Sequence, residues 1–480
     1  YTKIPIIVNS REEDMITSPC KIGLEAKVKL GATKDGMLKA AQITYLVDCG
    51  AYSDMGAVIT KSISSDCTGP YNIENVWCDS MCIYTNHPYV TSFRGFGHSE
   101  YTAAIERAMD NLAYNLSMDP LELRLKNAIG PYDTTPTQSE LTVSNIGNLK
   151  KCIEKLKVLI NWDEGQRIEI GNNKIISKGM ACFWKTSSTP PDAISGAVIT
   201  FTPDGYANLS IGAVELGQGS KTALAQILAE KLKIDIDRIN VSMEVNTHEH
   251  PEHWKTVASS TSYMVGNAII AAADNAISQL KYTSAIVLRC SPEDIDIASG
   301  KAFIKTNPQK YIDITEVVHG YKYPNGNSVG GQVIGRGSFI MKHLTPMDKD
   351  TGKGNPGPLW TVGAQAVEVE FDTKEYTYKV LKAASVIDAG KIINPMIAKG
   401  VTMGGMAMGL SLASSEAFIY DENGVILNPN LRTYKPLGFK EKPEYIVEFI
   451  ETPEEDGPFG VRGLGEFGLI GMPGALVNSL

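Results

Sequence analysis

Glycine is gathered in this chain rather than scattered. Its 44 glycines include clusters at residues 95–97, 212–219, 400–409 and 460–474. Each glycine costs folding entropy, so a cluster marks a tight turn or a backbone that something approaches closely. Any one cluster reads as a turn. Four of them in 480 residues imply a fold that carries separate loops to one large ligand.

Between the clusters the pattern alternates. Residues 24–31 and 38–48 read as extended. After Glu100, residues Ile105, Ala108, Met109, Leu112 and Leu116 repeat at helical spacing. A second helix starts at Asp119-Pro120, an N-cap followed by proline at the first helical position, with Glu122 placed for a capping box. It ends near Gly130. The stretch PYDTTPTQS at 131–139 reads as a boundary loop. Residues 196–202 and 206–211 flank the turn Pro203-Asp204-Gly205 as a hairpin. Residues 221–232 and 261–280 read as helices, and 366–371 with 378–387 as a second hairpin. The class is α+β, in at least two domains.

Composition narrows the function. A net charge of −9 argues against a partner of phosphate backbone, so no nucleic acid is expected. Cysteines 20, 49, 67, 78, 82, 152, 182 and 290 are too sparse for a disulfide scaffold and contain no CxxC. They read as reduced thiols of a cytoplasmic protein. No apolar run reaches the roughly 18–20 residues of a membrane span, and no signal pattern is visible from Tyr1.

Three constellations carry chemistry. In Phe93-Arg94-Gly95-Phe96-Gly97, glycine-flanked turns can present a fixed guanidinium to an oxygen-rich group, and the helix start that follows favours anions. In Glu215-Leu216-Gly217-Gln218-Gly219-Ser220, the amide of Gln218 can approach a planar, hydrogen-bonding ligand. In Gly460-Val461-Arg462-Gly463-Leu464-Gly465-Glu466-Phe467-Gly468, a carboxylate stands on a glycine-walled loop among apolar residues. Desolvation there is expected to raise its pKa and suit it as a general base. Residues 463–468 also fit GxGxxG, but no strand precedes them and no acidic ribose contact follows, so a dinucleotide site is excluded. Ala258-Ser259-Ser260-Thr261 at a helix start offers hydroxyls and amides as a phosphate or pterin cradle, or ordinary capping. His248, His250 and His253 fall close together, but Pro251 breaks helical spacing. A solvated loop is favoured over a metal site.

Taken in order, Ser10-Arg11-Glu12-Glu13-Asp14, the FRGFG loop, the ELGQG loop, Ser259-Ser260-Thr261-Ser262, Asp388-Ala389-Gly390 with Asn394-Pro395, and GLGEFG resemble the molybdenum hydroxylases of the xanthine oxidase and aldehyde oxidoreductase family. The resemblance covers nearly the whole chain. It implies two elongated mixed α/β domains, at 1–135 and 148–480, that hold molybdopterin, often as the cytosine dinucleotide, with molybdenum bound by the pterin dithiolene and by no protein side chain. It implies cofactor contacts from Phe93, Arg94, Gly217, Gln218, Ala258, Ser259, Ser260, Thr261 and Gly465, and substrate contacts from Phe96 and Ser187. Glu466 is the implied base, with water the oxygen source. A [2Fe-2S] subunit and an FAD subunit are the implied partners, since neither pattern occurs here.

The departures from the family are specific. Its GGxFGG loop does not precede residues 10–14, and homologues continue past Asn478. The resemblance therefore predicts that an N-terminal part of the first domain and a C-terminal tail of the second lie elsewhere, on a further polypeptide or in a longer chain. Val401 replaces a family glutamine. Ser187 replaces a ring-stacking aromatic, and Ser62, beside Lys61, a purine-binding arginine. Xanthine is disfavoured; another N-heterocycle such as a nicotinate-like acid, an aldehyde or an aromatic thioester fits as well. Two other readings compete: a hydrolase or lyase with a divalent metal on the three histidines, and a non-catalytic scaffold relative.

Overall fold

A computed structural model describes residues 6–244 and 246–480. The chain opens with α1 (Arg11–Thr17), capped by Ser10 and Glu13 in a reciprocal box. Next come β1 (Gly23–Ala32), β2 (Leu38–Asp48), α2 (Gly56–Ser65) and β3 (Asn75–Ile83). They form a sheet in order β1-β2-β3, antiparallel then parallel. Alternate residues Ala41, Ile43, Tyr45 and Val47 of β2 are buried, as a strand with one face on a core requires. α3 (His98–Leu116) packs near this sheet through Tyr101, Ile105, Met109 and Ala113, and α4 (Pro120–Asn127) follows, its first turn capped by the Asp119 carboxylate. Both helices fall where helical spacing and the Asp-Pro start predicted them.

After the boundary loop, α5 (Leu149–Leu159), β4 (Arg167–Gly171) and β5 (Lys174–Thr186) lead to the hairpin β6 (Ile194–Phe201) and β7 (Ala207–Ile211). Gly205 supplies the hairpin turn at φ +85. α6 (Ser220–Leu232), β8 (Ile239–Ser242) and α7 (Thr261–Leu288) follow. Small strands β9 (Ile295–Ala298), β10 (Lys301–Ile304) and β11 (Asn307–Asp313) form one sheet, and β12 (His319–Lys322) pairs with β13 (Ser328–Gln332). β14 (Ile334–Ile340) closes a sheet in order β14-β6-β7-β8. α7 covers β14 and β6, and α6 packs on α7 and β8. One apolar core fills the space, from Ile199 and Leu209 to Leu228, Ile269 and Ala272.

The second predicted hairpin is longer than its alternation showed. It is β15 (Trp360–Asp372) with β16 (Thr377–Asp388), turned where Asp372 accepts the amides of Lys374 and Glu375 at 2.9 Å each. Then come α8 (Pro395–Ser414), β17 (Glu444–Ile450), α9 (Phe467–Ile470) and α10 (Met472–Ser479). The largest sheet has the order β17-β16-β15-β5-β4. α5 covers one face of it and α10 the other. Its centre is therefore buried on both sides and reads as nearly continuous apolar sequence rather than as alternation. The core of α3 and α5 runs on into Cys182, Trp184, Trp360 and Val386 of this sheet.

One expectation needs correction. α8 is long and apolar enough to cross a membrane. It packs instead against α9, α10 and β17, and it is the element around which the glycine loops assemble.

Candidate active site

The GLGEFG loop links β17 to α9 and is pinned from several sides. Arg462, 1% exposed, donates to the carbonyls of Thr452 at 3.1 Å and Ile146 at 3.2 Å. Thr361 of β15 donates to Gly463 O at 3.2 Å. Gly463 has no room for a side chain: a Cβ there would stand 1.9 Å from Ser259 O. Ala258 and Ser259 take left-handed backbone at φ 55 and 52, a strained choice for residues other than glycine. That conformation delivers Ser259 Oγ to Glu466, where it accepts from the backbone amide at 3.1 Å and donates to Oε2 at 3.0 Å. Gly463→Ala is therefore expected to displace Ser259, cost about 1–3 kcal/mol as an overpacked site, and lower the melting temperature measured by calorimetry.

The FRGFG loop meets the same residue. Gly95 N donates to Glu466 Oε1 at 3.2 Å. Arg94 donates through Nε to Gly465 O at 2.7 Å and through Nη2 to Val401 O at 2.9 Å. It is thus a clamp between this loop, α8 and the GLGEFG loop, and burial pulls its guanidinium below the ordinary value against the opposing charge of Glu466. Phe96 sits at φ 52 and packs partly buried on the first core.

The ELGQG loop reaches α8 further along, where a Cβ on Gly219 would stand 2.6 Å from Ile397. The Gln218 amide donates to Val214 O at 3.0 Å and Ser220 Oγ at 2.9 Å. Glu215 accepts the amides of Gly217, Gly219 and Lys221 at 2.8, 2.9 and 2.9 Å. Burial works to raise this carboxyl, but those amides hold it below the usual range. Ser260 is turned away from the loops and donates to Val257 O at 2.8 Å. Thr261 opens α7.

Sequence reasoning missed the strongest partner of Glu466. Lys185, on β5, pairs with its Oε2 at 3.0 Å, with side chains 3% and 13% exposed. This corrects the expected direction of the Glu466 pKa. Burial does push the carboxyl up, but the Lys185 charge and hydrogen bond, with His98 and the Ser259 hydroxyl, outweigh it and leave Glu466 below the ordinary glutamate range. Also unforeseen is the buried pair of Asp66 and His98, 3.0 Å apart. Neither residue carried a local signal: Lys185 follows the apolar stretch 181–184 without a periodicity that turns it inward, and Asp66 stands among serines, a cysteine and a threonine. Ser187 lies just past β5, 3% exposed, and its hydroxyl has no partner among the described residues; the same holds for Thr189.

The histidine alternative finds no support. His250 meets Ser242 at 2.9 Å and His253 meets Ser195 at 2.7 Å. Among the described residues no three metal-binding side chains gather.

These loops leave open space along α8. α8 turns Met396, Gly400, Met403 and Gly404 outward. A Cβ on Gly217 or Gly400 would meet open space, and one on Gly404 would meet only Arg94 Nη1 at 4.0 Å. A methionine- and glycine-lined helix face beside the half-buried guanidinium of Arg94 suits a ring system bearing polar edges.

Comparison with known proteins agrees with that chemistry. Residues 4–128 and 155–443 match molybdopterin cofactor-binding domains. The chain belongs to this family, in its xanthine dehydrogenase and aldehyde oxidoreductase branch. It is 28% identical over 486 residues to the xanthine dehydrogenase molybdenum-binding subunit of Escherichia coli O157:H7, covering 99% of this chain and 62% of that protein. It is 25% identical over 502 residues to the nicotine 6-hydroxylase large subunit of Paenarthrobacter nicotinovorans, covering 100% of this chain and 59% of that one. Its fold matches quinoline 2-oxidoreductase from Pseudomonas putida 86 with a TM-score of 0.85 at 22% identity, over 98% of this chain and 60% of that one. The chain thus spans less than two thirds of the length of these relatives.

Proposed function

We propose that the chain is the molybdopterin-binding catalytic part of a molybdenum hydroxylase. Its substrate is an electron-poor carbon in an N-heterocycle or an aldehyde, water supplies the oxygen, and Glu466 is the general base. The observation that carries this is the Glu466 carboxylate: buried, ionised, and held where the FRGFG, GLGEFG and Ser259 segments converge beside α8. A general base of this kind contributes typically about 10²–10⁴-fold.

When bound, the molybdenum cofactor supplies a Lewis acid and a two-electron acceptor. Phe93, Arg94, Gly217, Gln218, Ala258, Ser259, Thr261 and Gly465 are the residues assigned to hold it; Ser260, fully buried and bonded to Val257 O, is withdrawn from that set. Arg94 locks three segments into one wall. Ser259 orients Glu466 from both its amide and its carboxylate. Phe96 and Ser187 are assigned to the substrate, where the free hydroxyl of Ser187 can bond a ring nitrogen or carbonyl. The cytosine dinucleotide form, iron–sulfur and FAD partner subunits, a cytoplasmic location and the division at 1–135 and 148–480 belong to the same proposal. The subunit names of the relatives support the partners.

The test is molybdenum and iron content of the native complex, purified without oxygen, with turnover of a heterocycle and aldehyde panel in ¹⁸O-labelled water. One molybdenum per chain and labelled product are expected; zinc without molybdenum would sink the proposal.

The acid limb of the pH profile is a second test. The base works ionised, so activity falls as pH drops through its pKa. Because that pKa lies below the ordinary value of 4.5, protonation of Glu466 is expected to remove less than half of kcat/KM at pH 4.5 and almost none near neutrality.

A further inference from the structure

The two oxygens of Glu466 are not equivalent. Oε2 accepts from Ser259 Oγ and from Lys185 Nζ, each at 3.0 Å. Among the described residues, Oε1 accepts only the Gly95 amide, at 3.2 Å. The Lys185 ammonium is 3% exposed, so it cannot leave Glu466 for water, and an unpaired buried charge is costly.

The scaffold around Lys185 is equally fixed. Lys185 stands opposite Thr361 in the β5–β15 register, and Thr361 is the residue that holds Gly463 O. The next residue, Thr186, donates its amide to Asp66 Oδ2 at 3.2 Å and its hydroxyl to Leu359 O at 3.0 Å. Asp66 also takes Trp360 Nε1 at 3.1 Å and lies 3.0 Å from His98 Nε2. The other ring nitrogen of His98 is 3.2 Å from Phe96 O. One buried network therefore places both the strand bearing Lys185 and the loop bearing Gly95. The charged groups bearing on Glu466 are Lys185 from β5, and His98 and Arg94 from the FRGFG loop and its helix start.

We propose that Lys185 is a positioning residue for the base: with Ser259 it immobilises Oε2, keeps the carboxylate ionised, and leaves Oε1, beside the Gly95 amide, as the oxygen that accepts the substrate-side proton. Its role in turnover rests on the hydroxylase proposal; its hold on Glu466 does not.

The test is a pH titration followed by difference infrared spectroscopy on the assembled, metal-loaded complex. The carboxylic acid band of Glu466 is identified by its loss in Glu466→Gln. In Lys185→Met the band is expected to appear at higher pH than in the wild type, and in Lys185→Arg to return towards it. The acid limb of kcat/KM shifts upward in parallel, whereas a purely structural lysine would lower kcat and leave the profile in place. Should Lys185→Met not fold, Lys185→Gln carries the same expectation. A folded Lys185→Met or Lys185→Gln protein whose Glu466 titrates as in the wild type overturns the proposal. Absence of turnover in the molybdenum-loaded wild type would remove the hydroxylase reading instead, and the infrared titration, which needs no turnover, still decides whether Lys185 governs the proton on Glu466.

Discussion

Glu466→Gln is expected to lower kcat/KM by about 10²–10⁴-fold, the usual worth of a positioned general base, while molybdenum content stays at the wild-type level. Glutamine matches glutamate in size and can still accept from the Gly95 amide and from Ser259, so the loop keeps its shape. It cannot take up a proton. It also leaves Lys185 facing a neutral amide inside the protein, which costs stability and is visible as a lower melting temperature. Two readouts separate the effects: metal content reports whether the cofactor wall survives, and single-turnover rates report the chemistry. Near-normal single-turnover rates in a fully loaded Glu466→Gln protein would remove Glu466 from the base role. Loss of metal in that variant would make it a cofactor-holding residue instead.

The parts of this site that are legible in the sequence are those whose function is written in local backbone. FRGFG and ELGQG announce themselves because their glycines take left-handed turns, and GLGEFG because backbone crowds Gly463 and Gly468 too closely for a side chain; the helix start at Asp119-Pro120 is spelled by capping chemistry, whereas the glycine cluster at 400–409 reads as a loop and lies inside α8. The hairpins at β6–β7 and β15–β16 follow from alternation and turn residues. β5 does not announce itself. It is covered on both faces, so KIISKGMACFWKT shows no alternation, and nothing local distinguishes Lys185 from a lysine at the surface. The sign of the Glu466 shift was missed for the same reason. Burial can be guessed from a glycine-walled apolar loop, but the charge that overrides it arrives from a strand far away in the chain. The Asp66–His98 pair is likewise a product of packing, assembled from the segment after α2 and the start of α3. Parallel pairings such as β2–β3 and β16–β17 carry no turn signal at all.

The same dependence on distant partners makes one buried carboxylate the largest expected stability loss. Glu106 of α3 is fully buried and ties four elements together. Its Oε2 accepts Arg124 Nε of α4 at 2.7 Å and the Cys182 amide of β5 at 2.9 Å. Its Oε1 accepts the Tyr71 hydroxyl at 2.6 Å. Its carbonyl accepts Asn478 Nδ2 of α10 at 3.1 Å. Glu106→Ala opens a cavity and strands the Arg124 guanidinium, 0% exposed, with Asp110 at 2.7 Å as its one remaining counter-charge among the described residues. Breaking a buried pair from one side costs about 3–5 kcal/mol, a large share of the roughly 5–15 kcal/mol that holds a typical folded protein together. A fall of several degrees in melting temperature is expected. An exposed pair is the control: Lys39 and Glu74, 3.4 Å apart with side chains 56% and 69% exposed, are screened by water, so Lys39→Ala should change stability by no more than about 1 kcal/mol. Equal losses in the two variants would mean that the Glu106 network does not carry the load its geometry assigns. Because β5 runs from Cys182 to Lys185, a Glu106→Ala protein that stays folded should also loosen the Lys185–Glu466 contact, and its Glu466 infrared band should broaden or shift.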